Sequence, residues 1–323
     1  MKIVIEHSGI LPVQKYGGIE RMIFWHMKEL ARLGHKPVLI GHPESQVEKY
    51  GIELIKKDRN DWWQLIPKDA DGLQLFYNFS PPNIKIPVIN TIGGSGQVGE
   101  KFHRNAVFVS KKHAQLHGSE SFIYNALDLD EYPITKEKSS SWDNFLFLAK
   151  ASWSVKNLKS ASYACRKNKK HLHICGGKSW RPSSYLHNHG MVGGQEKIEI
   201  INQCDAIIFP VRWHEPFGLA VIEAMALGIP AMTSQYGSMQ ELINEDVGII
   251  CHDQRELNNA LQKIPKKFDP KVIRKYVEDN FSINQFTLSY IDLFKRLAQS
   301  SQFLNDKAPE WINSEKPEHL LPF

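Results

Sequence analysis

The sequence predicts an α/β protein built from two doubly wound domains in series. Three observations carry this. Short apolar runs alternate with amphipathic helical stretches, the pattern of parallel strands covered by helices. The alternation breaks once, at a polar, serine-rich stretch, and then resumes. The chain has 323 residues, enough for two compact units.

The elements follow in order. KIVIE near the start is a buried strand, and Ile19 to Leu33 is an amphipathic helix ended by Gly34. PVLIG is the next strand, and the apolar runs LQLFY, IPVINTI, AVFVS and SFIYN continue the series. The break is ITKEKSSSWDN, from Ile134 to Asn144, which reads as a linker. The second series opens with strand NFLFLAK and a helix from Asn157 to Lys167. Strand HLHICGG closes on two glycines, and AIIFP follows it. Strands PAMTS and VGIIC and a helix from Arg255 to Ile264 come after the stretch discussed below. A last helix starts at Ser282, which forms a capping box with Gln285. Phe286, Tyr290, Leu293, Phe294 and Leu297 line one face of it. The tail after Ser301 has no assignable place. The expected domains are 1–138, joined by the final segment at about 282–323, and 142–281.

Composition narrows the function. Net charge is +5, with basic residues spread evenly rather than in an arm or stripe, which argues against nucleic acid. A weak attraction to anionic lipid or to phosphorylated ligands fits this charge. The four cysteines form no C-x-x-C pair, so neither a disulfide framework nor a zinc knuckle is expected. The first residues lack the apolar length and cleavage site of a signal peptide, and no run approaches the ~20 residues of a membrane span. The expected place is the cytoplasm, with peripheral contact at the inner face of a membrane.

The chemistry concentrates in HEPFGLAVIEAMALGIP, His214 to Pro230. Strand AIIFP ends at Pro210, so VRWHE is a loop at its carboxyl end, where open α/β sheets bind ligands. Pro216 suits a helix start, and Gly228 and Pro230 suit its end. The amides of Phe217, Gly218 and Leu219 would then be unpaired donors at a positive helix end, a place for phosphate. Gly218 has no side chain to hinder a close approach. Glu215 stands at the mouth, and Glu223 lies one turn past Leu219 on the same face. A diphosphate there would have a carboxylate on either side, one for sugar hydroxyls and one for a ribose. Two glutamates alone would more simply be a dipole cap and a solvated helix residue. Glu223, however, is flanked by small and apolar residues, and a charge on a core face needs a partner.

EPFGLAVIEAMALGIPAMTS closely resembles the signature of the retaining glycosyltransferases of family 4, which have the GT-B fold: two Rossmann-like domains facing a central cleft. YGGIE (Tyr16 to Glu20) resembles the family's glycine pair in the first βα loop. FVSKKHA and FIYNALDLDEY resemble the segments that close the first domain, and LAKASWSVKNL resembles the one that opens the second. YGSMQELI resembles the family's Gly-Gly-x-x-Glu loop. The resemblance implies that Glu215 contacts the transferred sugar and that Glu223 holds the ribose. It implies that Lys156, with Lys150, neutralises the diphosphate, that Gly218 and Leu219 donate amides to it, and that Gly17 and Gly18 approach it from the first domain. Such a site works without a metal or other cofactor, since ammonium groups and a helix terminus can stand in for magnesium. The DLD at Asp128 to Asp130 reads as helix capping.

The chain departs from the family in places. Gly93 stands where a histidine is usual, in the glycine-rich loop Gly93, Gly94, Ser95, Gly96 expected to meet the acceptor. His103 lies ten residues on and is counted with this acceptor loop because it could reach back, although a mobile surface histidine is the simpler reading. Lys150 replaces an arginine, keeping charge but losing the bidentate fork. The segment around Trp153 is one residue longer than the family pattern.

Three other features compete for a role. Gly94 to Gly99 spells G-x-G-x-x-G after a strand, which taken alone suggests a dinucleotide site, but no helix opens there. His171 and His173, with His187 and His189, invite a metal reading that lacks a completing ligand. Trp62 and Trp63 serve either as a stacking platform for a sugar or as a core anchor.

The expected protein is a metal-independent hexosyltransferase. It takes a UDP- or GDP-linked sugar as donor and a carbohydrate or lipid-linked hydroxyl as acceptor, in surface polysaccharide, lipopolysaccharide or glycolipid synthesis. The alternatives are a non-catalytic nucleotide-binding or scaffold relative and an NAD-dependent oxidoreductase.

Overall fold

The computed structural model describes residues 1–13, 17–134, 142–180, 182–262, 268–300 and 302–323. They form two compact units. The first comprises Met1–Val13, Gly17–Leu127 and Ser282–Ser314, and the second Asp128–Phe281 and Glu315–Phe323. Most of the expected linker, 135–141, and Tyr16 of the YGGIE motif lie outside the described residues.

The first unit runs β1 (Lys2–His7), α1 (Gly18–Arg32), β2 (Lys36–Gly41), β3 (Glu53–Lys56), β4 (Gly72–Leu75), β5 (Val88–Ile92), β6 (Ala106–Phe108) and α2 (Lys111–Leu116). Its sheet is parallel, in the order β3-β2-β1-β4-β5-β6. Ile3, Val4 and Ile5 are all fully buried, so both faces of β1 are covered, as a parallel sheet requires.

The second unit runs β7 (Asn144–Leu148), α3 (Leu158–Lys167), β8 (His171–Cys175), β9 (Leu186–Gly190), α4 (Gly194–Asn202), β10 (Ala206–Phe209), α5 (Leu219–Ala226) and β11 (Ala231–Thr233). It continues with α6 (Met239–Leu242), β12 (Gly248–Ile250), α7 (Gln254–Gln262) and α8 (Pro270–Asn280). Its sheet order is β12-β11-β10-β7-β8-β9, the same winding as in the first unit. Each sheet therefore reverses once, between β1 and β4 and between β7 and β10, and such reversals open a crevice at the carboxyl ends of the strands.

The last helix, α9 (Ile283–Gln299), belongs to the first unit. Ser282 caps it by accepting from the Gln285 N–H, as the capping box predicts. It is joined to the interior by a buried polar chain. His26 of α1 bonds Thr287 Oγ1 through Nδ1 and Gln74 Oε1 through Nε2, each at 2.9 Å. Gln74 donates to Thr91 Oγ1 at 3.0 Å, and Thr91 donates to the Tyr290 hydroxyl at 2.9 Å. Burial pushes the His26 pKa down to about 3, so its ring is neutral.

Several expectations change. SFIYN is not a strand: Phe122 makes a single bridge to Phe108. The sequence reading missed β3, β9, α4, α8 and the short helices α2 and α6. β9 (LHNHG) was hidden because it is a polar edge strand with only Leu186 turned into the core. Ile264, the expected end of its helix, lies outside the described residues, and α7 is described to Gln262. The first unit ends at Leu127 rather than 138, and Glu315–Phe323 belongs to the second unit rather than the first. The reason for the latter is a set of bonds to the 212 and 236 loops, taken up below. Trp62 is buried in a core cluster with Trp63 packed against it, the anchor role. Among the described residues no helix is long and apolar enough to cross a membrane.

Candidate functional site

The reversal in the second sheet brings two loops together. One follows β7 and carries Lys150, Trp153 and Lys156; the other follows β10 and carries Trp213 and Glu215. Two bonds fasten them. Asn157, in the left-handed conformation that caps α3, donates from Nδ2 to the Pro210 carbonyl at 2.9 Å. The Arg212 N–H donates to the Val155 carbonyl at 2.7 Å.

Lys156 Nζ lies 2.6 Å from Glu215 Oε2, and Trp213 Nε1 donates to the same oxygen at 2.6 Å. The Lys156 ammonium also lies 4.9 Å from the Trp213 ring centre and 5.3 Å from that of Phe209. Lys150 stands over the Trp153 ring at 4.8 Å, and Trp153 and Trp213 meet edge to face at 6.4 Å. Lys156 and Trp213 thus hold the carboxylate, and Trp153, with Lys150 over it, packs on Trp213. An ammonium on an aromatic face is less hydrated than in water, which favours its exchange onto an incoming anion.

The backbone of Glu215 is held by the YGSMQELI segment. The Ser238 N–H donates to the Glu215 carbonyl at 3.0 Å, and Ser238 Oγ donates to the Phe217 carbonyl at 2.6 Å. Gly237 has φ +65, and a Cβ there would lie 2.2 Å from the Glu215 oxygen, so only glycine fits. Gly218 caps α5 at φ +94, where a Cβ would lie 2.7 Å from Met239 Cε. The helix therefore begins at Leu219, not at Pro216. Phe217 sits in the loop, and the first helical amides are those of Leu219 and Ala220.

Glu223 is 2% exposed, so it is not a solvated helix residue. Its Oε1 accepts from the Tyr132 hydroxyl at 2.7 Å and from Lys197 Nζ at 2.9 Å. The partner that the apolar surroundings demanded is Lys197 of α4. The sequence reading named neither it nor Tyr132, because nothing local marks them.

Gly17, Gly18, the Gly93–Gly96 loop and His103 lie in the first unit. Gly17 caps α1, and its carbonyl accepts from the Arg21 backbone N–H and Nε; Gly18 is the first helical residue. The loop of Gly93, Gly94, Ser95 and Gly96 follows β5 and is pinned by α2. His113 Nε2 meets the Gly94 carbonyl at 3.1 Å, and His117 Nε2 meets the Ser95 carbonyl at 2.9 Å. Burial lowers the pKa of both histidines. Gly94 to Gly99 leads into a turn and then β6, with no helix opening on it, so the dinucleotide geometry is missing. His103 is half-buried in its own turn, accepting the Asn105 N–H on Nδ1 at 3.1 Å and facing Phe303, not a free surface histidine. Asp128 accepts from the Asp130 N–H and caps a short turn of helix, the capping role expected of DLD.

The sequence reading also missed a cluster at the reversal in the first sheet. Glu6, at the carboxyl end of β1, receives Lys57 Nζ at 2.7 Å, Ser8 Oγ at 3.1 Å and the Tyr77 hydroxyl. Burial, then Glu6, raises the Tyr77 pKa. The available signal was a charge ending an otherwise apolar strand. The four histidines of β8 and β9 bond one another, His171 to His187 at 2.8 Å and His173 to His189 at 3.0 Å. No group of three or more His, Cys, Asp or Glu among the described residues is placed to hold a metal ion.

Residues 135–272 match the family model described as "Glycosyl transferases group 1". An uncharacterized glycosyltransferase of Methanocaldococcus jannaschii is 26% identical over 28% of this chain and 23% of its own length. A glycogen synthase of Mycobacterium tuberculosis is 36% identical over 19% of this chain and 15% of its own. The matched segment thus spans less than a quarter of either relative. Structural likeness extends further. A glycosyltransferase involved in avilamycin A biosynthesis superposes with TM-score 0.77 at 18% identity, over 94% of this chain and 99% of that one. HepE of Anabaena, solved with UDP-glucose, superposes with TM-score 0.64 at 14% identity, over 92% of this chain and 100% of that one. Residues 135–272 are therefore similar to the group 1 glycosyl transferases, and nearly the whole chain shares the α/β fold of these GT-B glycosyltransferases.

Proposed function

We propose that the protein is a retaining, metal-independent glycosyltransferase that moves a hexose from a UDP- or GDP-linked donor to a hydroxyl acceptor. The observation that carries the reading is the Lys156–Glu215 pair, framed by Trp213 at the reversal of the second sheet. That HepE was solved with UDP-glucose on the same fold supports a nucleotide sugar as the partner.

In this reading the donor's diphosphate draws Lys156 away from Glu215. Lys156 and Lys150 neutralise the charge that builds on the leaving phosphate, and the Gly218 and Leu219 amides donate to it. Glu215, released from the lysine, accepts from the sugar hydroxyls and steadies the positive charge developing at the anomeric carbon. Glu223, fixed by Lys197 and Tyr132, offers the ribose a carboxylate that cannot swing. Phe217, buried edge-on to Phe281, anchors the loop that carries Glu215, while Gly17 and Gly18 let backbone come close to phosphate. The loop Gly93 to Gly96, pinned by His113 and His117, takes a carbohydrate or lipid-linked acceptor in surface polysaccharide, lipopolysaccharide or glycolipid synthesis. The protein works in the cytoplasm, touching the inner face of a membrane peripherally.

A thermal-shift panel of nucleotides and nucleotide sugars, paired with an assay of released nucleoside diphosphate, tests this. A UDP- or GDP-sugar is expected to raise Tm, and Lys156→Ala and Glu215→Ala are expected to abolish release. Release at parental rates from both variants would overturn the reading. Binding without release from the parent protein would favour the non-catalytic relative, the reading that Gly93 in place of histidine motivates.

A further inference from the structure

The tail after Ser301 ends on the donor loop of its own unit. The Leu321 N–H donates to the Arg212 carbonyl at 2.8 Å, and the Leu321 carbonyl accepts from Arg212 Nε at 2.6 Å. One residue of the loop is thus gripped through both backbone and side chain. The Pro322 carbonyl accepts from the Tyr236 hydroxyl at 2.7 Å. Leu321 is buried, and Phe323 packs against the main core of the second unit.

The two gripped residues flank the site. Arg212 precedes Trp213, and its N–H is bonded to Val155, the neighbour of Lys156. Tyr236 precedes Gly237, whose backbone lies against that of Glu215. The segment therefore holds, from outside, both loops that set the Glu215 carboxylate in place. These loops have no ladder or helix of their own, and such segments open locally at low free energy. Fixing a residue's backbone costs ~1–2 kcal/mol, so a loop ordered before the donor arrives does not charge that cost to binding.

We propose that residues 315–323 are a clamp that positions Trp213 and Glu215 for the donor, without touching the reacting atoms. This rests on the donor-site reading above, but its first test does not. Amide hydrogen exchange is compared for the full chain, a chain ending at Ser314, and Tyr236→Phe in the full chain, all without ligand. Exchange at 211–217 is expected to quicken about tenfold or more in the shortened chain and a few-fold in Tyr236→Phe, with α8, which lies outside the core that Phe323 packs on, unchanged. A peptide of residues 315–323 added to the shortened chain is expected to restore slow exchange.

The second test measures KM and kcat with UDP-glucose and GDP-mannose. Donor KM is expected to rise about tenfold in the shortened chain, with a smaller change in kcat, as befits lost preorganisation. A full chain that binds neither sugar nucleotide sinks the donor reading and leaves the exchange result to decide the clamp. A full chain that turns over donor, with local exchange and KM indifferent to both changes, overturns the clamp. So does uniform quickening across the second unit, which marks mere loss of stability. If the shortened chain does not fold, Tyr236→Phe decides alone: unchanged exchange at 211–217 with unchanged donor KM overturns the proposal.

Discussion

The two sheets share one winding, and each reverses at a glutamate paired with a lysine. In the first, Glu6 sits on β1 itself, its backbone fixed by the ladder to Ile40. It receives Lys57, Ser8 and Tyr77, and is 3% exposed. In the second, Glu215 sits on a loop, its backbone fixed only by neighbouring loops, and shares one oxygen between Lys156 and Trp213. A glutamate–lysine pair at a reversal therefore does not by itself tell the two crevices apart. What differs is the cation. Lys156 rests on two aromatic faces and can trade one anion for another, whereas Lys57 reaches Glu6 from beyond β3 among hydroxyls. A third pair, Lys197–Glu223, joins two helices in the interior and gives the buried limit of the three.

The largest expected effect tests that limit. Lys197→Met removes the ammonium bonded to the buried Glu223 carboxylate and should cost ~3–5 kcal/mol, read by urea unfolding. A loss under about 1 kcal/mol would mean that Glu223 is not committed to structure in the way its burial implies.

The next separates the two reversals. Glu215→Gln should slow donor turnover ~10²–10³-fold with Tm close to the parent's. Glu6→Gln should do the opposite, losing ~1–3 kcal/mol of stability because its donors lose a charged acceptor, with turnover falling far less. Equal effects of the two changes on kcat would erase the distinction drawn above.

Acid should weaken the first unit's interior. His26 is neutral in the fold, with its pKa lowered to about 3, while in the unfolded chain it titrates near 6.5. Below pH 6.5 the unfolded state takes up a proton that the folded state refuses, so stability present above 6.5 drains as pH falls toward 3. Between pH 6.5 and 4.5 this amounts to about 2–3 kcal/mol. His26→Gln should flatten that part of the stability–pH curve measured by denaturant melts; an unchanged slope would exclude it.

The smallest effect concerns the frame of Glu215. Trp213→Phe keeps a ring beneath Lys156 but deletes the N–H to Glu215, worth about 1 kcal/mol, so donor KM should rise a few-fold. Indifference in titrations with UDP-glucose and GDP-mannose would remove Trp213 from the site.

Much of the fold was legible because parallel strands buried on both faces are apolar throughout, and glycine and proline punctuate the helices between them. The misses have physical causes. β9 escaped because three of its five residues are polar, its histidines satisfied by those of β8. The start of α5 was read three residues early because Pro216 is as acceptable in a loop as at a helix start. The Lys156 and Glu215 positions were legible through motif and spacing, but Trp213 was passed over. Its indole N–H acquires meaning only when the carboxylate two residues on is oriented toward it.

The sequence by itself determined the alternation of strands and helices, the capped entry to α9, and the need of a glutamate inside AVIEAMALG for a partner. These depend on neighbours within a turn or two. Only the tertiary structure decided which partners were chosen: Lys197 lies 26 residues from Glu223, Tyr132 lies 91 away, and Lys156 is 59 from Glu215. It likewise decided that the tail returns 109 residues across the chain to hold Arg212. Such contacts are fixed by the order in which strands join a sheet, and no local pattern of side chains encodes that order.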